Sequence, residues 1–266
     1  MNDAVNPPAA PQQSEINAVD AQLLALVAQR LAQECERAAP IRGAAVLQPA
    51  RDILNLRALI AAAPNGVEPE LIVEIWRALA AASLRKQRVV DVAVGGARND
   101  PARLFDIARR HFGARTRISN VGDPQTALLR AVENPETCVA VTPWPAAPGV
   151  GSWWPALSES RFHALHLVAG LPILGAIGDT PEACVFGAAP AEEAGGDITM
   201  LLVEDPHHRG QRALNEVGLR GKEVARSEPR AMLRVEGYLA SNDPRARALA
   251  EFGLERVRVL GSYARI

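Results

Sequence analysis

Asp20-Ala21-Gln22-Leu23-Leu24-Ala25-Leu26-Val27-Ala28-Gln29-Arg30 sets the reading of the first third of the chain. Ile16, Val19, Leu23, Leu26, Val27 and Leu31 recur at spacings of three and four, which places them on one face of a helix. Arg30 comes four residues after Leu26 and three after Val27, so it projects from the same stripe. A guanidinium stays charged in proteins, and burying it without an anion is costly. On the stripe alone, Arg30 reads as a snorkelling side chain near a helix end, as the partner of a core carboxylate, or as a holder of some other anion.

The surrounding composition is that of a globular protein. The chain has 266 residues, 48% hydrophobic and 22% charged, with a net charge of −1, enough for two or three cores. No basic excess points to nucleic acid. Residues 1–13 hold no lysine or arginine and no signal-type apolar core, and read as a flexible arm. Apolar runs such as Leu165 to Ile177 are too short and interrupted for a membrane span. Cys35, Cys138 and Cys184 are scattered and odd in number, which implies reduced thiols and a cytoplasmic setting. Neither a zinc pattern nor any cofactor motif is present.

Helical periodicity holds from Ser14, a candidate N-cap, to Arg37, and breaks at Pro40 and Gly43. A second helix is predicted from Pro49, with Ile53, Leu56 and Ile60 on one side, ending at Pro64-Asn65-Gly66. A third runs from Pro69 to Gln87 on the stripe Ile72, Ile75, Trp76 and Leu79, with Ser83 and Gln87 one turn apart. Three such helices leave apolar surface that pairing of the long helices in a homodimer would bury.

The polar residues on these helices carry a resemblance. Asp20 and Arg30 on the first, Arg51-Asp52 opening the second, and Ser83 with Gln87 closing the third resemble the all-helical chorismate mutase family. That family reads "D…LL.L…R", "P..RE" and "S…Q" in this order, and the likeness covers roughly residues 13 to 88. It implies a site for chorismate and prephenate that uses no nucleophile, metal or general acid. Such a site clamps both carboxylates and meets the charge that grows on the ether oxygen. Carried over, Arg30 is a carboxylate clamp, Arg51 a nearby cation, and Asp52 stands for the family's glutamate. Ser83 supports a carboxylate and Gln87 donates to the ether oxygen. Two positions depart from the pattern. Gln13 stands where the family has an arginine, and its loop lysine is missing, with Arg37 and Arg42 as candidate replacements. Loss of one such contact typically costs about 10²–10³ in rate.

After Gln87 the pattern turns to strands alternating with helices. Strands are predicted at 88–94, 117–121 and 138–141, with helices at 101–112 and 124–132. Leu165 to Ile177 and Cys184 to Gly187 complete an α/β unit of two lobes. Gly95-Gly96 lacks a nucleotide-binding context and reads as a turn. From residue 197 the order is βαββαβ, a ferredoxin-like module. Its ending, Val257-Arg258-Val259-Leu260-Gly261-Ser262-Tyr263, resembles the "VKVLGSYPR" close of the ACT domain of prephenate dehydratases. Arg226-Ser227-Glu228-Pro229 resembles a scrambled "ESRP", and Asp205-Pro206-His207-His208-Arg209-Gly210 stands at the "PGAL" loop. The middle then resembles a prephenate dehydratase, periplasmic-binding-protein-like and without its working motifs. Glu182-Ala183-Cys184 replaces "TRF", and Thr142-Pro143-Trp144-Pro145 replaces "PIENS". His207-His208 reads as a solvated turn, His163 and His166 as packing residues. Trp144, Trp153 and Trp154 fit either loop anchoring or stacking on an aromatic ligand.

The expected organisation is therefore multidomain. An all-α chorismate mutase-like domain (14–88) precedes an α/β dehydratase-like domain (89–196), which is followed by an ACT-like domain (197–266). Two functions are expected from this: a mutase with an inactive dehydratase part, or a non-catalytic regulatory homologue.

Overall fold

The computed structural model describes residues 11–38, 47–96, 101–145, 152–175 and 180–266. The chain divides into two compact units, residues 1–41 and 42–266. The first contains helix α1 (Pro11–Ala38). It starts three residues before Ser14, so Ser14 is a helical residue and no N-cap; Pro11, whose missing N–H costs nothing in a first turn, opens it instead. Ile16, Val19, Leu23 and Leu26, the stripe read as one apolar helix face, are each more than half exposed.

In the second unit, helices α2 (Pro49–Ala61) and α3 (Pro69–Gln87) lie where the periodicity puts them, each opened by proline. Strand β1 (Asp91–Val94) is shorter than expected, beginning after Val90. There follow α4 (Pro101–Phe112), β2 (Arg117–Asn120), α5 (Pro124–Glu133), β3 (Cys138–Pro143), β4 (His166–Leu171) and β5 (Ala183–Gly187). The tail adds β6 (Ile198–Glu204), α6 (Gly210–Glu216), β7 (Gly221–Ser227), β8 (Arg230–Glu236), α7 (Pro244–Ala248) and β9 (Glu255–Tyr263). Short 3₁₀ turns at Trp154–Ser158 and Ser160–Phe162 precede β4. Among the described residues, no helix is long and apolar enough to cross a membrane.

Among the described residues, all nine strands join one mixed sheet, in the order β2-β1-β3-β5-β4-β9-β6-β8-β7. The tail segment β9-β6-β8-β7 is antiparallel throughout, as a βαββαβ module requires. Strand alternation sorts the first half into two faces. Val92, Val94, Val139 and Val141 pack with Ala50, Ile53 and Leu56 of α2, Val73 of α3 and Leu104 of α4. Ala93, Cys138 and Ala140 pack with Ala127 and Leu128 of α5 and with Trp154, Leu157 and Phe162. Trp153 and Trp154 are thus core residues, and Trp144 packs edge-on against Tyr263 at 5.2 Å. Although α2 and α3 were expected in a domain closed off at residue 88, their apolar faces lie on the sheet. Ile75 turns outward, because Ile72 and Val73 supply the buried edge of α3.

The two halves of the sheet meet at one parallel pairing, Leu167 of β4 with Gly261 of β9. Gly261 has φ +138, and a Cβ there would lie 2.2 Å from the Leu167 carbonyl oxygen. Beside this join, Thr199 Oγ1 donates to Gly237 O (2.7 Å) and accepts from Leu239 N (3.0 Å), so Ser262 Oγ is its second donor, at 2.7 Å. Gly261→Ala should lower unfolding free energy by at least about 2 kcal/mol, from backbone strain plus the forced shift of β4. Urea denaturation checks this; an unchanged midpoint would mean the join tolerates a side chain.

Candidate functional site

The residues singled out by the sequence fall on three helices. On α1, Arg30 is half-buried and forms no hydrogen bond or ion pair among the described residues, and its Nη1 is withdrawn from solvent. Arg37 is exposed and bridges Glu34 at 2.8 Å, one turn back on the same helix. Arg42 lies outside the described residues.

On α2, Arg51 donates through Nη1 to Gln48 Oε1, which ties it to the residue just before the helix. Asp52 accepts from Arg77 Nη1 at 2.8 Å. Arg77, on α3, turns its other two nitrogens to one acceptor: Nε and Nη2 donate to the carbonyl of His111 at 3.0 and 2.8 Å. Asp52 and Arg77 thus tie α2 and α3 to the end of α4. Burial pulls the Arg77 guanidinium below its ordinary value, and Asp52 works against that shift. Burial, followed by the charge of Arg77, holds the His111 imidazole well below its usual range, so it is neutral at neutral pH. The His111 ring packs edge-on against Phe112 at 4.7 Å.

Arg77 was missed in the sequence, although it gives the same signal as Arg30. It follows the buried Val73 by four, one turn on along the same helix face. Asp52, Arg77 and His111 line a cavity of about 40 Å³ together with Gln48, Ser262 and Tyr263. That is room for one or two waters. A ten-carbon dicarboxylate needs several times more.

On α3, Ser83 is buried and accepts from Gln87 Nε2 at 2.8 Å. Gln87 itself is exposed. The pair comes together as its one-turn spacing predicts. It leaves the Gln87 carbonyl and a second amide hydrogen available.

Asp52→Ala should lower stability by about 1–3 kcal/mol, because it leaves a buried guanidinium short of its charged partner. Thermal and urea unfolding of the variant measure this. A variant as stable as the parent would free Asp52 from its structural role.

Several comparisons bear on these helices and the sheet. In fold, the chain is similar to a prephenate dehydratase from Streptococcus mutans, with TM-score 0.46 and 16% identity, covering 66% of this chain and 100% of that one. It is also similar to a prephenate dehydratase from Arthrobacter aurescens in complex with L-Phe, with TM-score 0.42 and 14% identity, over 66% and 90% of the two chains. A third similar structure is GqqA, described as a novel type of quorum quenching acylase, with TM-score 0.42 and 16% identity, over 66% and 95%. No curated protein matches the chain. The family model of chorismate mutase type II matches residues 12–88, a span that takes in α1, α2 and α3. That likeness covers under a third of the chain.

Proposed function

We propose that the chain converts chorismate to prephenate in phenylalanine and tyrosine biosynthesis, as a cytoplasmic homodimer. Arg30 carries this reading: it is a half-buried guanidinium that meets no anion among the described residues, inside the segment that matches the mutase family. In the [3,3] rearrangement an ether C–O bond breaks as a C–C bond forms, and no proton moves. The protein's work is then to hold one conformer and to stabilise the charge on the ether oxygen. Arg30 supplies a cation for a substrate carboxylate, and Arg51 is a second cation of the family pattern. Ser83 orients Gln87, whose amide donates to the ether oxygen. Asp52, held by Arg77, serves the frame. The exposed Ile16, Val19, Leu23 and Leu26 supply an apolar face for pairing the long helices.

A second reading, a non-catalytic regulatory homologue, draws on the commitment of Asp52 to Arg77 and on Gln13 in place of an arginine. A chorismate disappearance assay separates the two. The first reading expects turnover that Arg30→Ala abolishes with the helices intact by circular dichroism. It also expects Gln87→Ala to lower kcat more than it raises KM. No turnover by the parent protein would establish the second reading.

We further infer that the dehydratase-like part is inactive and that the tail does not respond to phenylalanine. Glu182, in the place of the family's "TRF", is held by Arg103 Nε and Nη2 at 2.8 and 2.7 Å. Cys184 is buried, and burial pushes its thiol well above the usual range, which leaves a poor nucleophile. In the tail, the Asp205 carboxylate accepts from the amides of Arg209 (2.7 Å) and Gly210 (3.0 Å) and from Arg226 Nη2 (2.9 Å). Arg226 also bridges Glu223 at 2.6 Å, so charged groups already fill the corner where a phenyl ring would sit. Prephenate should give no phenylpyruvate above the spontaneous rate at neutral pH, and calorimetry with phenylalanine should show no saturable heat. Enzymatic dehydration, or phenylalanine binding coupled to inhibition, would refute the corresponding half.

A further inference from the structure

The tail sheet has two unlike faces. One packs Leu201, Val203, Ala231, Leu233, Val235 and Val259 with α6 and α7 residues such as Ala213 and Ala246. By alternation, the opposite face carries Leu202 and Glu204 of β6, Arg230 and Met232 of β8, and Arg256 and Arg258 of β9. Leu202 lies between Met232 and Arg258 on the neighbouring strands, and Glu204 opposite Arg230. Arg230 of β8 and Arg256 and Arg258 of β9, the strands that flank β6, line one cleft of about 440 Å³. His163, His166 and Glu204 line it with them.

The charges in this cleft do not balance. Arg256 takes Glu204, at 3.1 Å. Among the described residues, Arg258 meets carbonyl oxygens alone: its Nη1 donates to Leu157 O, and its Nη2 to Phe162 O at 2.9 Å and Leu165 O at 2.8 Å. Burial lowers its pKa to about 10, which leaves it cationic at neutral pH. Burial, and then Arg258, lowers the pKa of His166, so that ring adds no charge. Arg230 forms no hydrogen bond or ion pair among the described residues, and its Nε is already withdrawn from solvent. Two guanidiniums thus face one cleft without an anionic partner among the described residues. Leu202, an apolar side chain, lies between their strands.

We propose that this cleft binds a small organic dicarboxylate, with one carboxylate on Arg230, the other toward Arg258 and the carbon skeleton over Leu202. A guanidinium fork matches a carboxylate edge, and the cleft has the volume of a small-molecule site. Two unpaired cations call for two negative charges. The bounded volume, the Glu204 carboxylate at the cleft and a net charge of −1 for the chain disfavour an extended polyanion. The site shares no residue with the mutase reading and does not depend on it.

Calorimetry on the full chain, titrated with succinate and with phthalate, tests the proposal against benzoate and inorganic pyrophosphate. Saturable one-to-one binding of a dicarboxylate is expected, with benzoate weaker. Arg230→Gln should weaken it about tenfold or more. Glu204→Gln should tighten it by removing a competing negative charge. Arg30→Ala should leave it intact; loss of binding in that variant would place the ligand on the helical domain and overturn the proposal. Absence of saturable binding, an affinity unmoved by Arg230→Gln, or a preference for pyrophosphate would overturn it too. A thermal-shift titration of Arg230→Gln shows that the variant is folded when its binding is read.

Discussion

The sheet of nine strands depends on one close backbone approach. Strands β4 and β9 come from segments almost a hundred residues apart, and they pair in parallel where Gly261 faces Leu167. A side chain at residue 261 would occupy the space of the Leu167 carbonyl. Because that contact closes, one core runs beneath both halves: Trp154, Phe186 and Leu167 from the first, with Met200, Leu260 and Tyr263 from the tail. The same strand carries the chain end to α2, where Arg57 Nη2 reaches the Arg265 carbonyl at 2.5 Å and Arg57 Nη1 those of Ala194 and Gly195. Separating the half-sheets would therefore also loosen the helices packed on the first.

Arginine does much of the stitching. Lys86 and Lys222 are the only lysines in the chain, against twenty-seven arginines. Arg57, Arg77, Arg258 and Arg265 each donate to backbone carbonyls of distant segments. A planar fork with five donors satisfies several carbonyls at loop and helix ends without a counter-carboxylate, and an ammonium does this poorly. The cost is residual positive charge inside the fold. Where a carboxylate is near, as with Asp52 and Arg77, that cost is met locally.

What could be read in the sequence follows the range of each interaction. Helices were legible because their determinants are local: Pro49, Pro69, Pro101 and Pro124 each open one, and apolar residues recur every third or fourth position. The order of the tail elements was equally plain, since each strand is bounded by turn residues. The union of two expected units into one sheet was not legible, because strand pairing over long separations leaves no local trace. The site divides the same way. The Ser83–Gln87 bond spans four residues and followed from spacing, whereas the hold of Arg77 on Asp52 spans twenty-five and did not. For α1, periodicity stated which residues share a face but not what covers it.

Arg30 and Arg230 show how a missing partner becomes informative. Withdrawing a guanidinium from water without an anion opposes folding, and most buried charges in this chain avoid it: Arg226 gathers Asp205, Glu223 and Glu228. Arg30 and Arg230 each withdraw a nitrogen from solvent yet meet no acceptor among the described residues. A fold that supplies anions or carbonyls to its other buried arginines has no chemical difficulty in doing so, so the two exceptions need a cause outside the described contacts. A ligand carboxylate is one that removes the cost on binding and returns it on release. Under both proposals, that relief of cost is the source of each site's affinity for an anion.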